Sequence, residues 1–169
     1  MENKNPLTKG MSIQMKSPIE MVFWSIAFPG FGQILNGRIV KGFVFLGLEF
    51  LINVNGNINQ AILLSFLGET KQAIEIANYQ WMLFYPCVYI FAIWDAYRDA
   101  GAAASRYSFL PSVCSAYFGT IGVIFSPVFT LFAITFGPIW LGILGMLIGA
   151  VIGFCMKWML PVTSGSPSN

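Results

Sequence analysis

The chain has 169 residues, of which 56% are hydrophobic and 9% are charged, whereas about 25% are charged in an ordinary soluble domain. A soluble fold must cover its surface with polar groups, so this composition favours helices that lie in a lipid bilayer. The net charge of +2 is too small to indicate a nucleic-acid partner. Histidine is absent, which removes the commonest general base and metal ligand.

Three cysteines lie far apart in apolar runs, without the spacing of a disulfide framework or a zinc site. We therefore expect small buried hydrophobic side chains at Cys87, Cys114 and Cys155. Residues 1–18 form a polar arm, and no small-residue cleavage site follows the first apolar run. The sequence therefore predicts that this run is retained and is not a cleaved signal peptide.

The first half of the chain contains two apolar segments separated by polar turns. Segment 19–35 is short and is interrupted at Pro29, which predicts a re-entrant or interfacial helical hairpin. Segment 39–52 is predicted to be a transmembrane helix. Residues 53–59 contain four asparagines and a glycine, a composition typical of a turn.

A segment of mixed polarity then leads to the next transmembrane helix. Residues 58–78 are predicted to form an external amphipathic helix that lies at the membrane interface and is bent at Gly68. Residues 81–97 form the next predicted span. Aromatic residues cluster at its start, which indicates the headgroup level of the membrane.

The last third of the chain is a glycine-rich hairpin, predicted over residues 105–160. Residues 110–160 carry Lys157 as their single charge and are about twice one spanning length. The Gly137-Pro138 pair lies near the middle and predicts the turn between spans 111–136 and 138–160, the former kinked at Pro127. Residues 161–169 form a polar tail.

The distribution of lysine and arginine predicts the orientation of these spans. If segment 19–35 returns to its own side, eight basic residues are cytoplasmic and Lys71 alone is external. If the segment crosses the membrane, four basic residues are cytoplasmic and five are external. The first arrangement is favoured. It places both termini on the cytoplasmic side of a bacterial inner membrane. Its eight cytoplasmic residues are Lys4, Lys9, Lys16, Arg38, Lys41, Arg98, Arg106 and Lys157. The predicted fold class is therefore an all-α polytopic membrane protein with four transmembrane helices and an N-terminal re-entrant hairpin.

Residues 28–42, FPGFGQILNGRIVKG, are followed about fifty residues later by the tetrapeptide Trp94-Asp95-Ala96-Tyr97. This combination resembles the TM2-like group of small bacterial membrane proteins, and the resemblance covers residues 19–104. That group pairs a PGxGQxxxGxxxxG entry with an aspartate that closes the next full helix. The resemblance implies an architecture but no activity, since the group has no agreed biochemical function. The chain departs from the group in lacking its Asp-Arg-Phe-type signature.

The motif itself predicts a stapled turn. Its glycines permit positive φ and close backbone approach, and its amides can bond carbonyls that Pro29 leaves free. Asp95 is placed to accept from those amides or to pair with Arg38. A ligand-binding loop is the alternative. The residues of the predicted staple are Pro29, Gly30, Gly32, Gln33, Asn36, Gly37, Arg38, Gly42 and Asp95.

Glu49 is the candidate intramembrane ionisable site, because it lies seven residues after the end of the polar turn at Gly42, ~10 Å into one leaflet. An ionised acid at a helix centre costs about 2.5–3.5 kcal/mol, so Glu49 should be protonated, paired or facing water. One interpretation is a proton or cation site. The other is a neutral acid that hydrogen-bonds across helices and holds the bundle together.

Glycines recur along the last two predicted spans and form a smooth stripe of the glycine-zipper kind. Three interpretations are open: packing of the two spans within one chain, self-association, and a pore lined by the glycine-rich helix. The stripe consists of Gly142, Gly145, Gly149 and Gly153, with Gly119 and Gly122 on the preceding span.

Catalysis is not indicated, since the sequence has no GxSxG, no HExxH and no paired acids at catalytic spacing. Asp95 and Asp99 lie one helical turn apart, and an Arg98–Asp99 pair at a helix end explains them better than a metal site does. No cofactor is predicted.

The leading hypothesis is a non-enzymatic accessory or scaffold subunit that packs against another membrane protein or itself. The alternative is an oligomeric channel or a proton- or cation-coupled transporter that uses Glu49.

Overall fold

The computed structural model describes residues 17–102, 107–132 and 134–160. Within them the chain is mostly helical, as the composition predicts, with one short β-hairpin. The predicted tail, Arg106 and all but the last two residues of the predicted arm lie outside the described residues. The elements are α1 Pro18–Ala27, α2 Phe31–Leu35, α3 Ile39–Gly56, α4 Ile58–Phe66, α5 Thr70–Ile76, α6 Tyr79–Met82, α7 Tyr85–Asp99, α8 Leu110–Phe125, β1 Thr130–Leu131, β2 Ile134–Thr135 and α9 Gly137–Met159.

The first apolar segment is two short helices, α1 and α2, separated at Pro29 and Gly30. Gly30 has a φ of +105°, which glycine adopts without steric cost. A Cβ at Gly30 would lie 2.6 Å from the Gly42 carbonyl oxygen of α3. With ten residues, α1 is ~15 Å long, about half of a hydrocarbon core. Both helices pack against α7, so this N-terminal pair lies on its neighbours and is too short to form a continuous span.

Helix α3 extends to Gly56, beyond the predicted end at residue 52, and absorbs most of the predicted asparagine turn. The chain reverses at Asn57, whose φ is +53°. Asn55 remains in the helix because its Nδ2 donates to the Leu51 carbonyl of the preceding turn at 2.7 Å. An asparagine whose side chain bonds a carbonyl of its own helix does not end the helix, although an asparagine-rich sequence is typical of a turn.

The predicted interfacial helix is divided at Gly68, where φ is +84°, into α4 and α5. Helix α5 is inclined by 91° to the helical segment Tyr79–Asp99 that follows it. That segment consists of α6 and α7, so the predicted helix 81–97 has a short break of its own before Tyr85. The chain therefore turns sharply between α5 and the long helix α7.

The C-terminal hairpin has a longer turn than the sequence predicts. Helix α8 ends at Phe125, so Pro127 follows the helix and does not kink it. An eleven-residue link with the β1–β2 pair separates α8 from α9. Pro138 lies in the first turn of α9, where its missing N–H leaves no carbonyl unpaired. The Gly137-Pro138 pair therefore starts α9 and is not the turn itself.

A small apolar core joins the two halves of the molecule. Its buried side chains are Ile52, Ile58, Ala61, Met82 and Val123. They come from α3, α4, α6 and α8, so helices distant in sequence meet at one point.

Large apolar side chains are exposed on the outer faces of the helices, including Val40 of α3 and Val151 of α9. Among the described helices, Ile39–Gly56 and Gly137–Met159 are long and apolar enough to cross a membrane. A third crossing is possible if α5 to α7 are counted as one bent span. An exposed apolar surface of this kind is typical of a protein in contact with lipid.

Candidate functional site

Two amide side chains, buried Gln33 and half-buried Asn36, hold α2 and its C-terminal turn against α7. Gln33 is fully buried, and its Nε2 donates to the Ala92 carbonyl at 2.7 Å and to Asp95 Oδ2 at 3.2 Å. Asn36 Nδ2 donates to the Ala96 carbonyl at 2.8 Å. The expectation that these amides bond carbonyls freed at the helix break is wrong, because all of these acceptors belong to α7. Asp95 does accept from Gln33.

A basic side chain that the sequence analysis did not single out completes this cluster. Lys41 Nζ lies 2.9 Å from Asp95 Oδ1 and 2.8 Å from Asp99 Oδ2. Arg38 Nε lies 3.7 Å from Asp99 and forms no ion pair with Asp95, which corrects the expected pairing. We call Gln33, Asn36, Lys41, Asp95 and Asp99 the polar staple. It joins α2 and α3 to the end of α7.

Arg98 is separate from the polar staple. Its guanidinium lies over the Trp94 ring, 4.7 Å from the ring centroid, in a cation–π contact. The predicted Arg98–Asp99 pair is therefore wrong: within the described residues Asp99 bonds Lys41 and Arg38, which arrive from α3.

The motif glycines allow the helices of the staple to approach closely. A Cβ at Gly32 would lie 2.7 Å from the Ala96 side chain of α7. A Cβ at Gly42 would collide with the Ile34 side chain of α2. Gly37 differs, since no atom lies within 4 Å of an added Cβ there. Gly32 and Gly42 therefore serve packing between helices.

The polar staple is suited to holding helices and leaves little for a ligand to bind. Its two carboxylates each accept from Lys41, and its amides donate to α7. The Gln33 Oε1 atom is buried and has no hydrogen-bond partner within the described part of the chain. The basic side chains of the ion pairs are roughly half exposed, so each exposed pair contributes ~0–1 kcal/mol to stability.

A second polar region lies beside Glu49, at a cavity of about 440 Å³. The cavity opens between the end of α1, α3, α4 and α7. Its size is within the ~300–1,000 Å³ of typical small-molecule sites. Its polar side chains come from three helices. The lining residues are Ile26, Ala27, Phe28, Pro29, Leu46, Glu49, Phe50, Asn53, Val54, Asn59, Ile62, Tyr85 and Tyr89.

Glu49 lies on the wall of this cavity and contacts side chains from its own helix and from α7. Tyr85 and Asn53 are the polar neighbours of its carboxyl group. Among the residues that the structure describes, the buried Glu49 Oε2 atom has no hydrogen-bond partner. A buried oxygen without a partner costs about 1–3 kcal/mol, more for a charged group. The carboxyl group can therefore still accept a proton or a cation.

Three other polar side chains at the cavity, Asn53, Asn59 and Tyr89, form hydrogen bonds. Asn53 Nδ2 donates to Asn59 Oδ1 at 2.9 Å, and the Asn59 backbone N–H donates to Asn53 Oδ1 at 3.3 Å. Tyr89 Oη donates to the Ile26 carbonyl at 2.7 Å, which ties α7 to the end of α1. The cavity thus has fixed walls around a carboxyl group with unused hydrogen-bonding capacity.

Sequence reasoning identified Glu49 but missed the four polar side chains around it. Asn53 lies one helical turn after Glu49, a spacing that places both on one face and was available from the sequence. Tyr85 and Tyr89 are also one turn apart, yet their position opposite Glu49 follows from the packing of α3 on α7. Their aromatic character indicated only a membrane interface.

The glycine stripe of α9 is covered by α8 of the same chain. A Cβ at Gly145 would collide with the Phe118 carbonyl oxygen, and one at Gly149 with the Cys114 carbonyl oxygen. At Gly153 the nearest atoms belong to Leu110 and Pro111.

The glycines of α8 face α9 in the same way. A Cβ at Gly119 would meet the Met146 side chain, and a Cβ at Gly122 would meet the Leu141 carbonyl group. On α9, a Cβ at Gly142 would meet the Val123 side chain of α8. Of the three interpretations of the stripe, packing within the monomer is the arrangement that the structure has.

Within the described residues, no group of three His, Cys, Asp or Glu side chains is arranged to hold a metal ion. The cysteines are free. Cys87 and Cys155 are exposed and Cys114 is half-buried, so the expectation that all three are buried is wrong. Comparison of the chain with protein-family models, with curated proteins and with solved structures found no match.

Proposed function

We propose that this chain is a multi-pass membrane protein with four spans, formed by α3, α6–α7, α8 and α9, and with a re-entrant pair, α1 and α2. The two membrane-length helices and the exposed apolar side chains support the proposal. Helix α8 has sixteen residues, ~24 Å, and is the shortest proposed span. The 91° inclination of α5 to the segment after it suits a helix lying in the membrane interface. Both termini are then cytoplasmic, by the count of basic residues.

In this membrane, we propose that the chain binds a proton or a cation at Glu49, as part of a small ion-coupled transporter or an oligomeric channel. The observation that carries the proposal is the unpartnered Glu49 oxygen at a 440 Å³ cavity lined by further polar side chains. An acid at membrane depth is costly unless it has a role or a partner. The TM2-like resemblance over residues 19–104 covers this cavity but supplies no activity of its own.

The test is ion flux in proteoliposomes that contain the wild type or the Glu49→Gln variant. The variant keeps the size of the side chain and one acceptor oxygen, but it replaces the other oxygen by an NH2 donor and cannot ionise. We expect proton or cation flux from the wild type and at least a tenfold loss in the variant, with loss of the pH dependence. Glu75→Gln, which removes an exposed acid from α5, should retain wild-type flux. Equal flux and equal pH dependence for wild type and Glu49→Gln would overturn the proposal.

A second candidate is an accessory or scaffold subunit that packs on another membrane protein or on a second copy. The glycine stripe is already covered within the chain, so such a partner must use another surface. The link between α8 and α9 offers one: Val128 is 74% exposed, Phe132 89% and Ile134 62%. This apolar turn lies at the helix ends, where headgroups and water rather than hydrocarbon surround it, and exposed apolar patches often mark contacts.

The accessory role is tested by the mass of the particle purified from native membranes in mild detergent. We expect a complex of fixed stoichiometry that is lost in Phe132→Asn, because the variant removes the exposed apolar side chain. Asparagine tolerates the positive φ of this position, so the backbone of the turn is kept. Val151→Asn on the outer face of α9 should leave the complex intact. A monomer without partner in the wild type would overturn this candidate.

A further inference from the structure

A large apolar groove lies on the face of α7 opposite the Glu49 cavity. It has a volume of about 940 Å³, with α3 and α8 as its sides and α7 as its floor. Almost every group that faces it is apolar. The lining residues are Val44, Phe45, Leu48, Cys87, Val88, Ile90, Phe91, Trp94, Phe109, Ser112, Val113, Ala116 and Tyr117.

One end of the groove carries a positive charge. Trp94 lines the groove, and the Arg98 guanidinium lies over its ring at 4.7 Å. Within the described residues, the neighbouring acids Asp95 and Asp99 bond Lys41 and Arg38, and no ion pair involves Arg98. The end of α7 therefore has three basic and two acidic side chains, a net charge of +1.

The length of the groove distinguishes between possible occupants. From Cys87 to Trp94 it follows α7 for seven residues, ~10 Å, which is less than one leaflet of a ~30 Å hydrocarbon core. A spanning helix of a partner would need a groove along the whole bilayer. A lipid in one leaflet needs an apolar groove of this depth and a counter-charge at the headgroup level.

We propose that this groove binds one anionic phospholipid, with its acyl chains between α3 and α8 and its phosphate at Arg98. The proposal rests on the membrane placement given above, which puts Arg98 on the cytoplasmic side, but not on ion binding at Glu49. Basic pockets between helices on the cytoplasmic side are suited to anionic headgroups, and each basic side chain near the surface contributes an attraction that corresponds to about fivefold in affinity. Arg98 supplies the charge, and the groove supplies the contact with the chains.

The test is native mass spectrometry of the delipidated protein in detergent with equal amounts of phosphatidylglycerol and phosphatidylcholine. We expect one bound phosphatidylglycerol, preferred over phosphatidylcholine by about fivefold or more. Arg98→Gln should remove this preference, whereas Lys71→Gln, which deletes a charge from α5, should retain it. Val113→Trp should fill the groove and prevent binding of either lipid, whereas Val151→Trp on the outer face of α9 should not. An unchanged melting temperature shows that each variant is folded.

Equal binding of the two lipids by the wild type, or an unchanged preference in Arg98→Gln, would contradict the proposal. A species of twice the mass that Val113→Trp abolishes, without a lipid adduct, would assign the groove to a second copy instead. Failure of the membrane placement gives a different result. A chain outside the membrane would remain in the supernatant without detergent, and a chain of the opposite orientation would keep the lipid adduct but have position 98 labelled from outside the cell. Failure of the ion-binding proposal leaves the lipid adduct unchanged, because Glu49 does not line this groove.

Discussion

Gln33 has an unusual position for a polar side chain, because it is fully buried and lies between two helices distant in sequence. Its amide nitrogen serves two acceptors on α7, one of them the charged Asp95. Hydrogen bonds to charged groups contribute about 1.5–3 kcal/mol each. The side chain therefore contributes more to the attachment of α2 than any exposed ion pair of the polar staple.

We predict that Gln33→Ala lowers the free energy of unfolding by about 2–4 kcal/mol, because it removes both hydrogen bonds and leaves a cavity. The measurement is thermal or denaturant unfolding in a single detergent. Gln80→Ala, at an exposed position of α6, is the matched control and should change stability by less than about 0.5 kcal/mol. If the two variants are equally stable, the buried amide does not hold α2.

At the scale of the helices, close approach of α8 and α9 depends on positions without a Cβ. Glycine within a helix is intrinsically unfavourable by about 1 kcal/mol relative to alanine, so each one needs a packing reason. Gly149 has such a reason, since a Cβ would collide with the Cys114 carbonyl oxygen. Gly47 of α3 has none, because no atom lies within 4 Å of an added Cβ.

This contrast predicts opposite signs for two chemically identical changes. Gly149→Ala should lower the free energy of unfolding by about 1–3 kcal/mol, because α8 must move away from α9. Gly47→Ala should leave stability unchanged or raise it by up to about 1 kcal/mol through helix propensity. Unfolding of both variants in the same detergent provides the measurement. A stabilising Gly149→Ala would mean that α8 does not cover the stripe.

The sequence could indicate where helices break but not what lies beside them. Pro29-Gly30 and Gly68 mark breaks because proline and glycine act on the local backbone. The asparagines near residue 55 led to the wrong prediction of a turn, because a local side-chain hydrogen bond keeps Asn55 within α3. Lys41 and Tyr85 were missed because their partners lie 54 and 36 residues away along the chain, and only the packing of α3 on α7 brings them together.

For the whole molecule, the proposals of ion binding at Glu49 and of lipid binding at Arg98 both depend on the placement of the chain in the membrane. Arg38, Lys41 and Arg98 gather at the end of α7, and Lys71 lies on α5, beyond the other end of that helix. Helix α7 with α6 spans Tyr79–Asp99, twenty-one residues, ~31 Å, which matches one hydrocarbon core. These charges should therefore face opposite compartments.

The prediction is that single cysteines at positions 71 and 98 are labelled from opposite sides. After replacement of Cys87, Cys114 and Cys155 by serine, Lys71→Cys should react with a membrane-impermeant maleimide in intact cells. Arg98→Cys should react only after the membrane is permeabilised. Labelling of both positions from one side would mean that the segment between them does not cross. The phosphate proposed at Arg98 would then face the same compartment as α5, where the basic-residue count gives no reason to expect it.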